Sequence, residues 1–330
     1  MMNEAAYEAV IGGKDTAGVC VLPLGFLRVT GRDRASFLQG QVSNDVVGLF
    51  AGQTSPACLL NATGHLLANL QVYVLEEAIL IGTDQERVAA VTHQLNRYLV
   101  RERVEIEEAP QSLITVQGGA SARIIERALE LEGVGDIAES GILAFQTKFG
   151  EVIALPRRRF IALAGYDLIF DSDRLDPFLL SLLSEEGAVE IDADTQHVLR
   201  VECEEPAWGA ELDESIIPLE AGLDDAISYT KGCYIGQEIT ARIHSRGHTN
   251  RTLVRLSLER SVDAGAALTA VDGEKSGQEV GRVTSVANSP RFGLIGLGYV
   301  RNEYSQAGTN VGTSSGAASI ASGPFTDGKS

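Results

Sequence analysis

The sequence has few of the residues from which disulfide-linked or zinc-bound proteins are built. Its 330 residues include four cysteines, and no two of them form a Cys-x-x-Cys pair. They lie far apart, at Cys20, Cys58, Cys203 and Cys233. Disulfide frameworks and structural zinc sites need cysteines at short, regular spacings. We therefore expect no disulfide framework and no metal site, and we expect a reducing compartment.

Long apolar runs and basic residues are also scarce. No apolar run reaches the roughly 18–20 residues of a membrane-spanning helix. Residues 1–13 are acidic and lack arginine, unlike a secretory signal or a transit peptide. Lysine and arginine total 27 against 45 aspartates and glutamates, for a formal net charge of −18. This charge opposes general binding to nucleic acid or to anionic membranes, although a local basic patch can still hold an anion. We expect a soluble, cytoplasmic protein.

Strand and helix signals alternate through the first 245 residues. Residues 21–30 predict one strand, and residues 55–75 predict two strands around a turn. After Arg251, short apolar runs alternate with turn residues, which is typical of a small β barrel or sandwich. We place a domain boundary near residue 246. The Gly- and Ser-rich end is expected to be loose, although AASIASGPF could form a closing strand.

The motif KGCYIGQE (231–238) contains a cysteine between two glycines. Gly232 and Gly236 permit unusual backbone angles and the close approach of a ligand. A free cysteine is most often a small, buried apolar residue, and this is one interpretation of Cys233. The other is a reactive thiolate that Lys231 and the start of a helix at Gly236 would stabilise. The motif alone leaves both interpretations open.

Two further features of residues 199–251 suit an anionic ligand that is rich in hydrogen-bond donors. Glu202 ends a predicted helix, where it is either an exposed carboxylate or an acceptor for two adjacent N–H donors. A basic cluster follows in this acidic chain, and it is either a solvated face or a site for a ligand with several carboxylates. Its members are Arg242, His244, Arg246, His248 and Arg251.

Four segments resemble the YgfZ family of folate-binding proteins, which belongs to the wider superfamily of the glycine-cleavage T-protein, an aminomethyltransferase. Iron–sulfur assembly factors of mitochondria, in the same branch, carry the same cysteine motif. The segments are LQGQVSNDV (38–46), LRVECEEPAWGAELDESIIPLEAGL (199–223), KGCYIGQE (231–238) and VGRVTSVANSPRFGLIGLGYVR (280–301). The resemblance extends over nearly the whole chain, with these segments in the expected order, and the cysteine motif is highly specific.

The resemblance implies an α+β fold in which two intertwined α/β subdomains surround a central opening. This opening would hold tetrahydrofolate, with a polyglutamylated form as an alternative ligand. A C-terminal β barrel follows. The folate-binding region would span 1–245, with its second subdomain at roughly 110–185, and the barrel domain would span 246–330 with a loose tail. Glu202 matches the pterin-binding glutamate, and Cys233 would be a functional thiol. The other implied folate-binding residues are Lys231, Gly232, Tyr234, Gly236, Gln237, Arg242 and Arg246.

One segment departs from the T-protein pattern. The T-protein has a G-G-x-x-D-D type segment whose aspartate assists one-carbon transfer, and the matching residues 64–69 here read GHLLAN. Neither Ala68 nor Asn69 can act as a carboxylate base, and no aspartate or glutamate occurs between Asn61 and Leu75. This departure speaks against aminomethyl transfer, and the resemblance to the YgfZ branch implies a tetrahydrofolate-binding protein that supports the assembly or repair of iron–sulfur proteins. Its partners would be folate and iron–sulfur client or assembly proteins.

Two other functions compete with this expectation. One is a folate-dependent aminomethyl or one-carbon transferase of the T-protein type, which would keep the folate site but needs a replacement for the missing carboxylate. The other is a tRNA-modifying folate protein. The strong negative charge and the lack of a G-x-x-x-x-G-K-[ST] loop weigh against this second alternative.

Overall fold

The computed structural model describes residues 2–160, 164–171, 176–247, 249–273 and 275–321, without the side chains of Asp176 and Arg246. The helices are α1 (Glu4–Ile11), α2 (Arg34–Gln41), α3 (Val88–Arg97), α4 (Ser121–Leu129), α5 (Asp176–Glu185), α6 (Ala193–Glu202) and α7 (Gln237–Arg246). The first strands are β1 (Ala17–Leu22), β2 (Leu24–Thr30), β3 (Gln53–Leu60), β4 (Leu66–Val74), β5 (Ile79–Asp84) and β6 (Glu105–Ala109). The next are β7 (Gln111–Gln117), β8 (Leu143–Thr147), β9 (Gly150–Pro156), β10 (Gly165–Asp171) and β11 (Ala188–Glu190). The last are β12 (Arg251–Leu258), β13 (Ala267–Ala270), β14 (Glu279–Ser289), β15 (Gly293–Arg301), β16 (Asn310–Gly312) and β17 (Ala317–Ile320).

The first sheet has six strands in the order β11-β1-β7-β10-β9-β8. The β1–β11 pair is parallel, and the other pairs are antiparallel. Helices α4 and α5 bury their apolar sides in the core of this sheet through Ile124, Ile125, Leu179 and Leu183. The spacing of the buried residues of α4 is that of an amphipathic helix, which explains why this segment folds onto a sheet.

The second sheet has five strands in the order β3-β4-β5-β2-β6, and all of its pairs are antiparallel. Its core includes Leu38 of α2 together with Val91 and Leu95 of α3. The chain thus begins the first sheet with β1, builds the whole second sheet, and then returns to the first sheet with β7. This path is the intertwined α+β arrangement that the resemblance implies, and the expected fold class is confirmed.

Pro23 divides the single strand that was predicted over residues 21–30. β1 ends at Leu22 in the first sheet, and β2 begins at Leu24 in the second. Proline has no N–H to donate to a sheet ladder and fixes its φ angle, so it favours a strand end over a strand interior. The prediction of one strand was therefore wrong at the residue where the chain changes sheets. The predicted pair of strands around the turn at 62–64 is confirmed by β3 and β4.

The C-terminal strands form a closed barrel in the order β12-β15-β14-β13-β16-β17. Its apolar core contains residues such as Leu256, Val283 and Val300. The predicted barrel is confirmed, and Ala317–Ile320 provides the closing strand β17. The expected loose tail falls on residues 322–330, outside the described residues.

The chain divides into two compact units. The first contains Asn3–Asp192 and Asp225–Glu238, and the second contains Ala193–Asp224 and Ile239–Ser330. Residues 193–224 therefore group with the barrel strands. The change in sequence pattern had placed the domain boundary later in the chain, near residue 246. Among the described residues, no helix is both long enough and apolar enough to span a membrane.

Candidate functional site

The ammonium group of Lys231 binds the chain where α2 ends. Its Nζ donates to the carbonyl oxygens of Gln39 at 2.7 Å, Val42 at 2.6 Å and Asn44 at 2.8 Å. The last carbonyls of a helix have no partner within the helix, and they attract a cation. Burial lowers the pKa of Lys231 to about 8, while the charge of Asp45 acts in the opposite direction. We call this set of contacts the Lys231 clamp.

Further hydrogen bonds join the segment before Lys231 to the same loop. Ser43 Oγ donates to the carbonyl oxygen of Ala226 at 2.6 Å, and the Ser228 amide donates to the Ser43 carbonyl at 3.0 Å. Asn44 Nδ2 donates to the Asp225 carbonyl at 2.9 Å. Two motifs that lie about 190 residues apart in the sequence, LQGQVSNDV and KGCYIGQE, are therefore neighbours in the first compact unit.

The two motif glycines have different surroundings. Gly236 has a φ angle of +83°, and a Cβ placed there would lie 2.5 Å from the carbonyl oxygen of Asn61, in the β3–β4 turn. Glycine is required here because a side chain would be both strained and overlapping. At Gly232 nothing lies within 4 Å of such a Cβ. The predicted need for glycine thus has a packing cause at Gly236, whereas Gly232 stays open to other atoms.

Cys233 is exposed, in an irregular segment just before α7. The interpretation of Cys233 as a buried apolar residue is therefore wrong. Tyr234 beside it is buried, and its ring centroid lies 5.0 Å from Lys231 Nζ. Gln237 opens α7, one residue later than predicted, and its Oε1 accepts from the Tyr234 amide at 3.2 Å. The neighbours on both sides of the thiol are thus fixed while its sulfur faces solvent.

The other three cysteines are less accessible. Cys20 and Cys58 are buried, and burial raises the pKa of the Cys58 thiol to about 12. Cys203 is partly buried, and desolvation raises its pKa, helped by the charge of Glu205. A thiol with a raised pKa has little of the reactive thiolate at neutral pH. Across the described ranges, no group of three or more His, Cys, Asp or Glu side chains is placed to hold a metal ion.

Glu202 is the last residue of α6 and is completely buried. The prediction that it ends a helix is confirmed, and the interpretation as an exposed carboxylate is wrong. Ser289 Oγ donates to Glu202 Oε1 at 2.5 Å. A buried carboxylate is costly unless hydrogen bonds stabilise it, so this position is specialised. Glu202 belongs to the second compact unit, whereas Cys233 belongs to the first.

Helix α6 is attached along β14 by further polar contacts. His197 Nε2 lies 2.9 Å from the carbonyl oxygen of Val286, and Arg200 Nη2 donates to Ser285 Oγ at 2.6 Å. Arg200 Nη1 also donates to Glu211 Oε2 at 2.9 Å, and the Glu211 side chain is completely buried. A buried ion pair with this many partners holds its elements in one arrangement. The helix that carries Glu202 is therefore held against β14 by the contacts of His197 and Arg200.

The members of the basic cluster have different surroundings. Arg242 is exposed on α7, whereas Arg251 Nε donates to Glu220 Oε2 at 3.0 Å and its Nη2 donates to the Ser215 carbonyl at 3.0 Å. Arg251 is thus held by local partners. The side chain of Arg246 and the whole of His248 lie outside the described residues.

The segment that departs from the T-protein pattern lies on β4. Ala68 is completely buried in the core of the second sheet, whereas Asn69 is half-buried and points to the opposite face, as strand alternation requires. Thr83 Oγ1 donates to the Asn69 carbonyl at 2.9 Å. Neither side chain supplies a carboxylate at this point.

Sequence patterns did not point to one buried ion pair in the first unit. Arg159 donates to both carboxylate oxygens of Asp167, with a shortest distance of 2.7 Å from Nη2 to Oδ2. Asp167 is completely buried on β10. Nearby, Arg157 Nη1 donates to Gln71 Oε1 at 3.1 Å. The only signal in the sequence was the run Arg157–Arg159 after a strand, which does not identify partners.

Comparisons with known proteins agree with this architecture. The family model of the GCVT N-terminal domain matches residues 15–231, and that of the glycine cleavage T-protein C-terminal barrel domain matches residues 251–327. A crystal structure of the glycine cleavage system aminomethyltransferase T from Bartonella henselae is 21% identical, with a TM-score of 0.84. That match covers 98% of this chain and 89% of the other. It shows the similarity of the folds.

Three relatives illustrate the range of proteins that are similar in sequence. A putative chloroplastic transferase of Arabidopsis thaliana is 28% identical over 89% of this chain and 68% of its own. A tRNA-modifying protein YgfZ of Vibrio vulnificus is 28% identical over 77% of this chain and 73% of its own. An aminomethyltransferase of Halalkalibacterium halodurans is 26% identical over 87% of this chain and 79% of its own. Since the first family model alone covers more than half of the residues, the chain belongs to the glycine-cleavage T-protein family, and its resemblance to the YgfZ-type branch is supported.

Proposed function

We propose that the protein binds tetrahydrofolate and supports the assembly or repair of iron–sulfur proteins in the cytoplasm. The observation that carries the folate part is the complete burial of Glu202 at the position of the pterin-binding glutamate. The family membership supports folate as the ligand class. The iron–sulfur role rests on the resemblance to the YgfZ branch and on the exposed thiol of Cys233.

The chemistry of Glu202 fits a pterin. A pterin presents adjacent N–H donors along one edge, and a carboxylate accepts two hydrogen bonds in one plane. Away from water such bonds are strengthened, and an incorrect ligand would leave a buried charge uncompensated. Glu202 would therefore orient the ligand as well as bind it. Tetrahydrofolate would in turn supply a carrier for one-carbon groups.

Arg242 fits the acidic tail of the ligand. A glutamyl tail carries several carboxylates, and this arginine is exposed in a chain of net charge −18. An exposed guanidinium attracts such a tail with a strength that falls as salt increases. We therefore assign Arg242 to the tail, with Arg246 as a second candidate.

Cys233 would act as a thiol toward partner proteins. It is exposed, and the Lys231 clamp together with Gly236 holds the segment on both sides of it. Fixed neighbours and a free sulfur suit a group that must meet a partner in one orientation. In this proposal Lys231 and Gly236 position the motif, and Gly232 leaves room beside the sulfur.

Calorimetric titration with mono- and polyglutamyl tetrahydrofolate at two salt concentrations tests the ligand. Glu202→Gln should weaken binding by about 10- to 150-fold, since a hydrogen bond to a charged group contributes about 1.5–3 kcal/mol. Glu185 ends α5 as Glu202 ends α6, but it is exposed, so Glu185→Gln is the matched control and should bind normally. Equal affinity of the two variants would remove Glu202 from the site.

A complementation experiment tests the thiol. In a cell that lacks the native protein, wild-type protein should restore the activity of iron–sulfur enzymes, whereas Cys233→Ala should not. Because the exposed sulfur contributes little to folding, the variant should fold normally. Its affinity for tetrahydrofolate should therefore stay normal. Full restoration by Cys233→Ala would refute a functional thiol.

The competing transferase function is supported by the aminomethyltransferases among the relatives. It needs a carboxylate to assist the reaction, and Ala68 and Asn69 provide none. Incubation with tetrahydrofolate and a lipoyl carrier protein that bears an aminomethyl group should give neither methylene-tetrahydrofolate nor released ammonia. Turnover would favour the transferase over our proposal.

Because some relatives are named as tRNA-modifying proteins, a role in tRNA modification is a second alternative function. A protein of this charge should bind tRNA weakly. Binding of purified tRNA that becomes weaker as salt increases, and that competes with polyglutamyl folate, would favour this function instead.

A further inference from the structure

Ser289 lies at the end of β14, buried beside Glu202. Its Oγ donates to Glu202 Oε1 at 2.5 Å. The same oxygen accepts the backbone N–H groups of Arg291 at 3.1 Å and Phe292 at 3.0 Å. The hydroxyl therefore joins the turn after β14 to the carboxylate at the end of α6.

These three contacts use the whole hydrogen-bonding capacity of a serine hydroxyl. A hydroxyl has one proton to donate and two lone pairs that accept. Both lone pairs of Ser289 face the turn amides, so the proton points toward Glu202. The direction of the bond is fixed by the backbone of the turn. Glu202 must therefore act as an acceptor at Oε1.

The helix that carries Glu202 is fixed to the same strand. His197 contacts Val286 and Arg200 contacts Ser285, so α6 lies against β14 at two levels before the contact with Ser289. With the backbone held, the remaining freedom of Glu202 is rotation of its side chain. The bond from Ser289 restrains that rotation, because a carboxylate that turned away would lose a charge-assisted bond in a buried place.

We propose that Ser289 is a positioning residue for the ligand-binding carboxylate, which sets the plane of Glu202 before the ligand arrives. This inference rests on the proposed folate function. The preferred ligands have two adjacent N–H donors in one plane. Affinity is increased because folding already orients the Glu202 carboxylate, so binding does not have to order it. The turn that follows β14 thereby contributes to ligand recognition without contact with the ligand.

A pair of substitutions separates the hydroxyl from the rest of the side chain. Ser289→Thr keeps the hydroxyl and should bind tetrahydrofolate within about 3-fold of the wild type. Ser289→Ala removes it and should bind about 5- to 50-fold more weakly, as expected when a charge-assisted bond is lost. Unfolding in urea is measured for both, because Ser289→Ala also leaves two turn amides without their acceptor.

A double-mutant cycle with Glu202→Ala excludes a purely structural effect. If Ser289 acts through Glu202, Ser289→Ala should weaken tetrahydrofolate binding by less than about 2-fold in the Glu202→Ala background. If Ser289 only stabilises the turn, its effect should be the same in both backgrounds, and that result would overturn the inference. The cycle remains valid even if the extra methyl of threonine prevents correct folding.

The outcomes distinguish this inference from the proposed function. Normal affinity in Glu202→Gln would reject Glu202 as the ligand-binding group and the inference with it. A weakened Glu202→Gln together with normal affinity in Ser289→Ala would reject only the positioning role. Loss of affinity in Ser289→Ala, retention in Ser289→Thr and non-additivity in the cycle would together support it.

Discussion

Replacement of Gly236 by alanine tests how the cysteine motif is held. Gly236 has a φ angle of +83°, and a Cβ there would lie 2.5 Å from the Asn61 carbonyl oxygen and 2.9 Å from the Leu60 Cβ. Real Cβ atoms do not approach a backbone oxygen this closely, so the turn or the motif must move. A substitution at Gly232 meets no atom within 4 Å and needs no left-handed backbone.

The expected cost combines backbone strain and overlap. A non-glycine residue in the left-handed region costs about 1–2 kcal/mol. Overpacking of a site that cannot relax fully adds about 1–3 kcal/mol. Gly236→Ala should therefore lower the free energy of unfolding by about 2–5 kcal/mol, whereas Gly232→Ala should change it by less than about 0.5 kcal/mol.

Urea unfolding followed by circular dichroism measures both variants. With a denaturant slope of about 1–3 kcal/mol per molar, the midpoint of Gly236→Ala should fall by about 0.7 M or more. Equal midpoints for the two variants would refute the packing argument. If Gly236→Ala folded normally yet lost tetrahydrofolate binding, the glycine would instead serve close approach of the ligand.

Other side chains can be tested by labelling and unfolding. Cys233→Ser should abolish the fast phase of reaction with an aromatic disulfide reagent, since Cys58 is buried with its pKa raised to about 12; a surviving fast phase would contradict the exposure of Cys233. The unfolded chain keeps the Lys231 proton to about pH 10.5 and the folded chain only to about 8, so the unfolded state binds more protons in that window. Between about pH 8 and 10.5, Lys231 therefore makes the free energy of unfolding rise with pH. Lys231→Met should remove that rise, and an unchanged rise would count against the lowered pKa of Lys231. Arg159→Met should cost about 3–5 kcal/mol because it leaves the buried Asp167 without its partner, and a loss under about 1 kcal/mol would be inconsistent with the ion pair.

Local patterns predicted individual strands and the barrel, whereas the fold class came from the family resemblance. Short apolar runs separated by turn residues after Arg251 indicated the barrel, and the turn signals at 62–64 placed β3 and β4 correctly. The change of sheets at Pro23 was missed, because an apolar run on both sides of a proline resembles one strand. Only the pairing of β1 with β7, more than 90 residues away, reveals the division.

The candidate site depended more on resemblance and on distant contacts. The motif match selected Glu202 and Cys233, but burial of the first and exposure of the second are results of tertiary packing. The acceptors of Lys231 are backbone carbonyls, which no side-chain pattern can indicate. Ser289 was part of a segment used only to support the resemblance, since a serine at a strand end is a common turn residue.

The path of the chain between the sheets has a consequence for its synthesis. Strands β2 to β6 are consecutive, so the second sheet can form as soon as residues 24–109 have left the ribosome. β1 leaves earlier, yet its partners β7 and β11 end at residues 117 and 190. One edge of β1 therefore stays unpaired until residue 117 has emerged, and its other edge until residue 190 has emerged. A chaperone that binds exposed apolar segments should therefore find a target in Ala17–Leu22 during this interval.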